Sequence, residues 1–201
     1  MNHHTLRHAL CVLLLALGWP ALAQQQPAPA PTGQQLFEPI ASVLQGPRCI
    51  NCHMVQAPHQ KDIMITHAQQ VVRGKDGHGA ATLQCAACHQ VRNTADGKVP
   101  GAPNWHLAPI SMAWEGLTKA KLCQSIKDPG KNGGRKTMDE VIEHMKTDPL
   151  VLWAWNPGAG RSTPVLPHDA FVQKLQAWAA AGGPCPGDPL PAAIPATAKA
   201  Q

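Results

Sequence analysis

The chain has 201 residues, with 17 Lys and Arg against 12 Asp and Glu, and it holds no Tyr and only two Phe beside 20 Pro and 17 Gly. The basic excess is mild and scattered, with pairs such as Arg135-Lys136 but no basic run, which argues against nucleic-acid binding. A chain this poor in large apolar rings has little material for a core of its own, so disulfides or a bound group are expected to complete the interior.

Residues 1–23 read as a secretory signal. Arg7 lies in the n-region, an apolar run extends from Leu10 to Leu17, and Ala21-Leu22-Ala23 supplies a small-x-small cleavage site. The run is shorter than the ~20 residues that a membrane span needs. Cys11 sits inside it rather than at the cleavage point, which disfavours a lipoprotein. Cleavage before Gln24 is expected to leave a periplasmic protein with no transmembrane segment, carrying 16 Lys and Arg (the 17 less Arg7) against 12 Asp and Glu. Residues 24–33 and 186–201 are Pro-rich and of low complexity, and are expected to be a flexible linker and a flexible tail.

Between them, helices are expected at about 34–45, 84–91, 118–127, 137–147 and 168–181, with loops elsewhere and no strand-like alternation. In 137–147, Met138, Val141, Ile142 and Met145 form one apolar stripe; in 168–181, Phe171, Val172, Leu175 and Trp178 do the same before Gly and Pro stop the helix. Pro149 is expected to start a short helical turn. Beyond it, Trp153 and Trp155 point different ways and are expected to pack on a bound group or on the last helix, and Arg161 sits in a Gly/Pro loop either solvated or paired with an anion.

Two pentapeptides carry the chemistry. Cys49-Ile50-Asn51-Cys52-His53 returns 36 positions later as Cys85-Ala86-Ala87-Cys88-His89. Cys-x-x-Cys-His is the attachment signal of c-type haem: in one turn the two thiols reach two vinyl groups on one porphyrin edge and the next imidazole becomes the proximal iron ligand. Two covalently bound haem c groups are therefore expected, on Cys49 and Cys52 with His53 and on Cys85 and Cys88 with His89. A zinc ribbon gives no reason for a His after both pairs, and a thioredoxin-type pair would want a βαβ setting that neither motif has. The fold class expected is mainly α with extensive irregular loops, a small haem-wrapped c-type cytochrome without substantial β-sheet, as one dihaem domain over 34–185.

The sixth iron position decides between carrier and enzyme. For the first iron His67, 14 residues beyond His53, leads over Met64, while Met54 is too close to the proximal ligand, and His59 and His78 look like loop residues. For the second, His106 in "PGAPNWHLAP" leads over His144, at the margin of the helix stripe, and Met112. His168 flanks the last helix. Bis-His ligation of both irons is the expected state, drawn from His67, His106 and His144. With Cys11 removed and four cysteines on haem, Cys123 and Cys185 remain, and an oxidising compartment should join them in a disulfide.

The phrases "RGKDGHGAATLQCAACHQ", "PGAPNWHLAP", "LCQSIKDPGKNGGR", "HMKTDPLVLWAWNPGAGR" and "AAAGGPCP" resemble exported c-type cytochrome-like proteins labelled as isoquinoline 1-oxidoreductase-type subunits. The resemblance covers roughly residues 73–186 and implies an electron acceptor serving a molybdenum hydroxylase, with Cys85, Cys88 and His89 as the matched haem residues. The sequence contains nothing like a molybdopterin or flavin domain, so the chain is not expected to be a catalytic subunit. The function expected is single-electron transfer from a molybdenum hydroxylase or other dehydrogenase to a respiratory acceptor. The alternative is a haem enzyme, a peroxidase or small-molecule reductase, with one open iron site.

Overall fold

The computed structural model describes residues 30–187. The expected signal peptide, linker residues 24–29 and tail residues from 188 lie outside the described residues. The described residues from Pro31 onward belong to one compact unit.

The helices begin where side chains can satisfy their free N–H groups. Helix α1 (Gly33–Leu44) opens with a capping box, in which Thr32 accepts from the Gln35 amide and Gln35 accepts from the Thr32 amide. Helix α2 (Pro47–Ile50) has Pro47 in its first turn, where a missing N–H costs nothing. Helix α3 (Lys119–Lys127) is capped by Thr118, and α4 (Met138–Thr147) by a Thr137–Glu140 box. Asp148 ends α4 and caps α5 (Pro149–Trp153) through the Leu150 and Val151 amides. Helix α6 (His168–Ala180) closes the series. Four of the five expected helices thus form within a residue or two of their expected limits.

Helix α1 packs on α6 and α3, and α4 packs on α6 and α5. Phe37, Ile40 and Leu44 of α1 lie at i, i+3 and i+7 and are fully buried with Leu122, Phe171 and Trp178. The Phe37 and Trp178 rings are 5.3 Å apart, and the Trp178 indole N–H donates to the Pro184 carbonyl at 2.9 Å. Cys123 of α3 and Cys185 beyond α6 form a disulfide across 62 residues. Gly33 lies against this cross-link, where an added Cβ would come within 2.6 Å of the Cys185 carbonyl oxygen. The α1 start therefore tolerates no side chain.

The long middle segment is built differently. Strands β1 (His59–Gln60) and β2 (Ile65–Thr66) form one antiparallel pair, and β3 (Gly79–Ala80) and β4 (Leu83–Gln84) another. Among the described residues the architecture is mainly α, with only these two small sheets. The helix expected at 84–91 does not form. A single 3₁₀ turn covers Cys85–Ala87, and the chain then leaves helical geometry. No apolar stripe follows to hold a helix down: Val91 is 68 % exposed, and the carbonyls of Gln90 and Arg92 instead close on Gly101, where there is no room for a Cβ.

From residue 59 to 110 only Gly77, Gly101, Ala102 and Leu107 are buried. Among the described residues, eight of the nine large apolar side chains that are exposed lie between Val55 and Ile110. Such a stretch has no core of its own. No helix among the described residues is long and apolar enough to cross a membrane.

Candidate functional site

The first pentapeptide straddles α2 and the turn after it. The Cys52 and His53 amides donate to the Cys49 carbonyl at 3.1 and 3.0 Å, and this single turn aims both thiols and the imidazole into a cavity of about 270 Å³. The cavity wall includes Leu44, Ala108, Met112, Val151 and Trp153 as well as Cys49, Cys52 and His53, and His144 of α4 lines it too. Burial raises the Cys49 thiol to about 12 and the Cys52 thiol to about 11. Both are therefore neutral thiols at pH 7.

The second pentapeptide repeats the backbone geometry: the Cys88 and His89 amides donate to the Cys85 carbonyl at 3.1 and 2.9 Å. The turn is exposed at Cys88 and half-buried at Cys85 and His89. The two motifs are neighbours, close enough for the Cys85 thiol to act electrostatically on that of Cys52.

Both motif histidines are prepared in the same way. His53 Nδ1–H donates to the Met112 carbonyl at 2.8 Å, and His89 Nδ1–H to the Pro100 carbonyl at 2.7 Å. A carbonyl only accepts, so each ring carries its proton on Nδ1 and offers the lone pair of Nε2, the arrangement that orients a metal-bound imidazole. A tryptophan lies flat on each: Trp114 on His53 at 3.5 Å and 9°, and Trp105 on His89 at 4.6 Å and 5°. Burial lowers the basicity of His53 to about 4 and lowers that of His89 as well. Both rings are therefore neutral at pH 7, as a ligand must be.

The remaining histidines divide between the two motifs in an order opposite to their order in the chain. His67 stands against His89, with ring centres 6.0 Å apart and planes at 73°. One iron about 2 Å from each of two imidazole nitrogens places the ring centres about 6 Å apart, so the pair has the span of an axial ligand pair. The His67 Nδ1–H donates to the Ala68 carbonyl at 2.7 Å, again leaving Nε2. Gln69 and Gln70, just beyond, have φ of 59° and 51°, a left-handed turn that non-glycine residues rarely adopt and that fixes the loop carrying His67.

His144 belongs with the first motif. Its Nδ1 lies 3.5 Å from the Asp148 carboxylate, whose other oxygen caps α5. The joint between α4 and α5 thus orients the ring, and burial lowers its basicity. His106 lines the first cavity but stacks on His78 at 5.0 Å, with its Nδ1–H turned to the Asn104 carbonyl. The sequence spacing favours His67 for the first iron and His106 or His144 for the second; the structure puts His67 beside His89 and His144 in the cavity with His53. Met64 is exposed, Met112 is buried beside His53 and contributes its carbonyl, and His168 spends Nε2 on the Met145 carbonyl at 2.9 Å.

Charge around the first motif comes from arginines. Buried Arg48 pairs with Asp62, which also accepts the Ser162 amide at 2.9 Å. Arg48 Nε is buried without a hydrogen-bond partner, and the guanidinium stands 5.8 Å over the Trp153 ring in the cavity wall. Arg73 bonds the carbonyls of Ala108 and Met54, and Arg135 lines the cavity. Arg161 spends its guanidinium on the carbonyls of Gly97, Lys98 and Pro157. Trp155 packs on Phe171 and His168 of α6, as expected, whereas Trp153 packs edge-on against Trp105 at 4.9 Å.

The residues present fit two haem groups: paired thiols and an Nε2 at each motif, a second imidazole for each, a partly apolar cavity at the first, and uncovered apolar side chains around the second. A tetrahedral zinc site is not assembled, since no three His, Cys, Asp or Glu side chains gather around a common point among the described residues. Trp114 and the carbonyls of Met112 and Pro100 lie outside the pentapeptides they serve, which is why neither motif announces them; Asp148 stands one helical turn past His144, a spacing that could have found it. No protein-family model, curated protein or solved structure matches the chain.

Proposed function

We propose that the protein is an exported dihaem cytochrome c that carries single electrons. The observation that supports this best is the imidazoles gathered at each motif, His67 with its ring centre 6.0 Å from that of His89 and His144 lining the cavity with His53; His53, His67 and His89 give Nδ1–H to a carbonyl, and His144 Nδ1 lies 3.5 Å from the Asp148 carboxylate. In this reading Cys49 and Cys52 hold one haem and Cys85 and Cys88 the other, with His53 and His89 as proximal ligands and His144 and His67 as distal ligands. A haem with two imidazole ligands supplies a reversible ferric–ferrous couple with no open coordination site. The chain's own part is to hold the imidazoles in place, to exclude water from the first cavity, and to keep both sites close together.

With haem held at Cys49, Cys52 and His53 and at Cys85, Cys88 and His89, each site would supply a one-electron couple between a reduced dehydrogenase and a respiratory acceptor, with no bond made or broken in the chain. The resemblance to isoquinoline 1-oxidoreductase-type subunits favours a molybdenum hydroxylase as the donor. Export to the periplasm follows from the N-terminal signal and agrees with the Cys123–Cys185 disulfide.

The test is expression in a host with working cytochrome maturation. Mature protein should retain two haems through denaturation, by mass and by haem-stained gel, and its ferric spectrum should be low-spin and unchanged by cyanide or carbon monoxide. Loss of haem on denaturation refutes the proposal. A high-spin fraction that binds either ligand replaces it with the enzyme reading, a peroxidase or reductase with one open iron.

A further inference from the structure

The two sites are alike in ligands and unlike in surroundings. At the first, the motif residues are interleaved with buried Arg48, Ile50 and Met54, and helices α4 and α5 wall the cavity opposite. At the second, every residue from Gln84 to Arg92 except Cys85 and His89 is exposed.

The charges differ in the same sense. Arg48 and Arg135 line the first cavity, and Arg73 holds the Met54 carbonyl next to His53. The carboxylates that face this site are Asp148, turned to His144 and the start of α5, and Asp62, paired with Arg48. At the second site the guanidinium within electrostatic reach of His89 is that of Arg161, already spent on three carbonyls, and the carboxylate of Asp76 acts on Cys85.

Reduction of a ferric haem removes one positive charge. Low dielectric and nearby guanidinium groups disfavour the ferric state and so raise the potential. Each haem brings the same charges of its own, so the protein decides the difference. Resting on the dihaem reading, we propose that the sites are unequal by construction: the cavity of Cys49, Cys52, His53 and His144 sets the higher reduction potential, and the open turn of Cys85, Cys88, His89 and His67 sets the lower.

A redox titration followed by electron paramagnetic resonance decides this. The two low-spin ferric signals are first assigned with H144A and H67A. When wild-type protein receives one electron equivalent of dithionite, the signal that H144A abolishes should disappear first. Prior loss of the signal that H67A abolishes, or equal loss of both, overturns the proposal. Should either ligand variant fail to mature, R135Q serves with all ligands intact: it should lower the upper of two potential waves and leave the lower in place. A shift of the lower wave, or of neither, overturns the proposal. Absence of covalent haem, visible by mass before any titration, sinks the dihaem reading itself; haem present with the order reversed sinks only this inference.

Discussion

The imidazoles of His67 and His89 stand 6.0 Å apart at 73°, although 22 residues and two short strands separate them in the chain. The hairpin of β1 and β2 ends at His67, whose amide donates to the Pro58 carbonyl at 2.7 Å, and this brings the ring across to the second motif. H67A should therefore abolish the low-spin signal of the second iron and spare the first, and H144A should do the reverse. H106A should leave both low-spin signals intact, since His106 is turned toward Asn104 and His78. Electron paramagnetic resonance of the three ferric variants checks the assignment; disappearance of either signal in H106A would move that residue into an axial position.

What was legible in the sequence was local. Thr118 and Thr137 announce helix starts through their own hydrogen bonds, the stripes of α4 and α6 follow from period 3.6, and each Cys-x-x-Cys-His turn needs only its own backbone; Thr32, expected in the linker, instead caps α1. Which histidine stands beside which motif was not legible because it depends on how far each segment travels. His67 follows His53 by only 14 residues, yet the hairpin carries it away; His144 lies 91 residues beyond His53, yet α4 packs back beside α5 over the first cavity. Nearness in sequence is a poor guide where the connecting chain has almost no core to constrain it. The expected helix at 84–91 failed for a related reason: helix propensity without a buried face does not hold against turn residues.

The Cys123–Cys185 bridge closes a loop across 62 residues between α3 and the end of α6. In the chain-entropy account a loop of that length stabilises by about 4 kcal/mol. The C123A/C185A protein should lose about that amount in urea unfolding, with the midpoint moving far more than the slope. Both cysteines are buried beside Gly33 and α1, so the loss should appear first as fraying of the α1–α6 pair in hydrogen exchange. An unchanged midpoint would mean that apolar packing alone holds this corner.

Asp62 gives a pH signature. The Ser162 amide, then the Ser162 hydroxyl and the Arg48 guanidinium, hold the Asp62 carboxyl below its ordinary 3.8. A carboxylate depressed on folding contributes stability at pH values above the ordinary carboxylate range, and that contribution disappears as pH falls through the folded-state value. Wild-type protein should be more stable than D62N at pH 7, by about 1 kcal/mol because the Asp62 side chain is largely in solvent. The gap should close under acid conditions. Urea midpoints of both proteins at steps from pH 7 down to pH 2 measure it; a gap that does not shrink as the pH falls would assign the effect to shape rather than charge.

Asn93 ties the second motif to the tryptophan segment. Its Oδ1 accepts from the Gly101 amide and from the Trp153 indole, both at 2.9 Å, and its Nδ2 donates to the Pro157 carbonyl at 3.2 Å. Gly101 follows Pro100, whose carbonyl holds His89, and Trp153 abuts Trp105, which lies flat on the same ring. N93A would strand two donors in a partly buried setting, at a cost of about 2 kcal/mol. Its effect should also be lopsided: the low-spin signal of the second iron should broaden as His89 loses its fixed orientation, while that of the first stays sharp. N93D keeps the acceptor for both donors and should restore the sharp signal, even though a carboxylate cannot donate to the Pro157 carbonyl. Equal broadening of both signals in N93A would make Asn93 a general scaffold residue rather than one that positions His89.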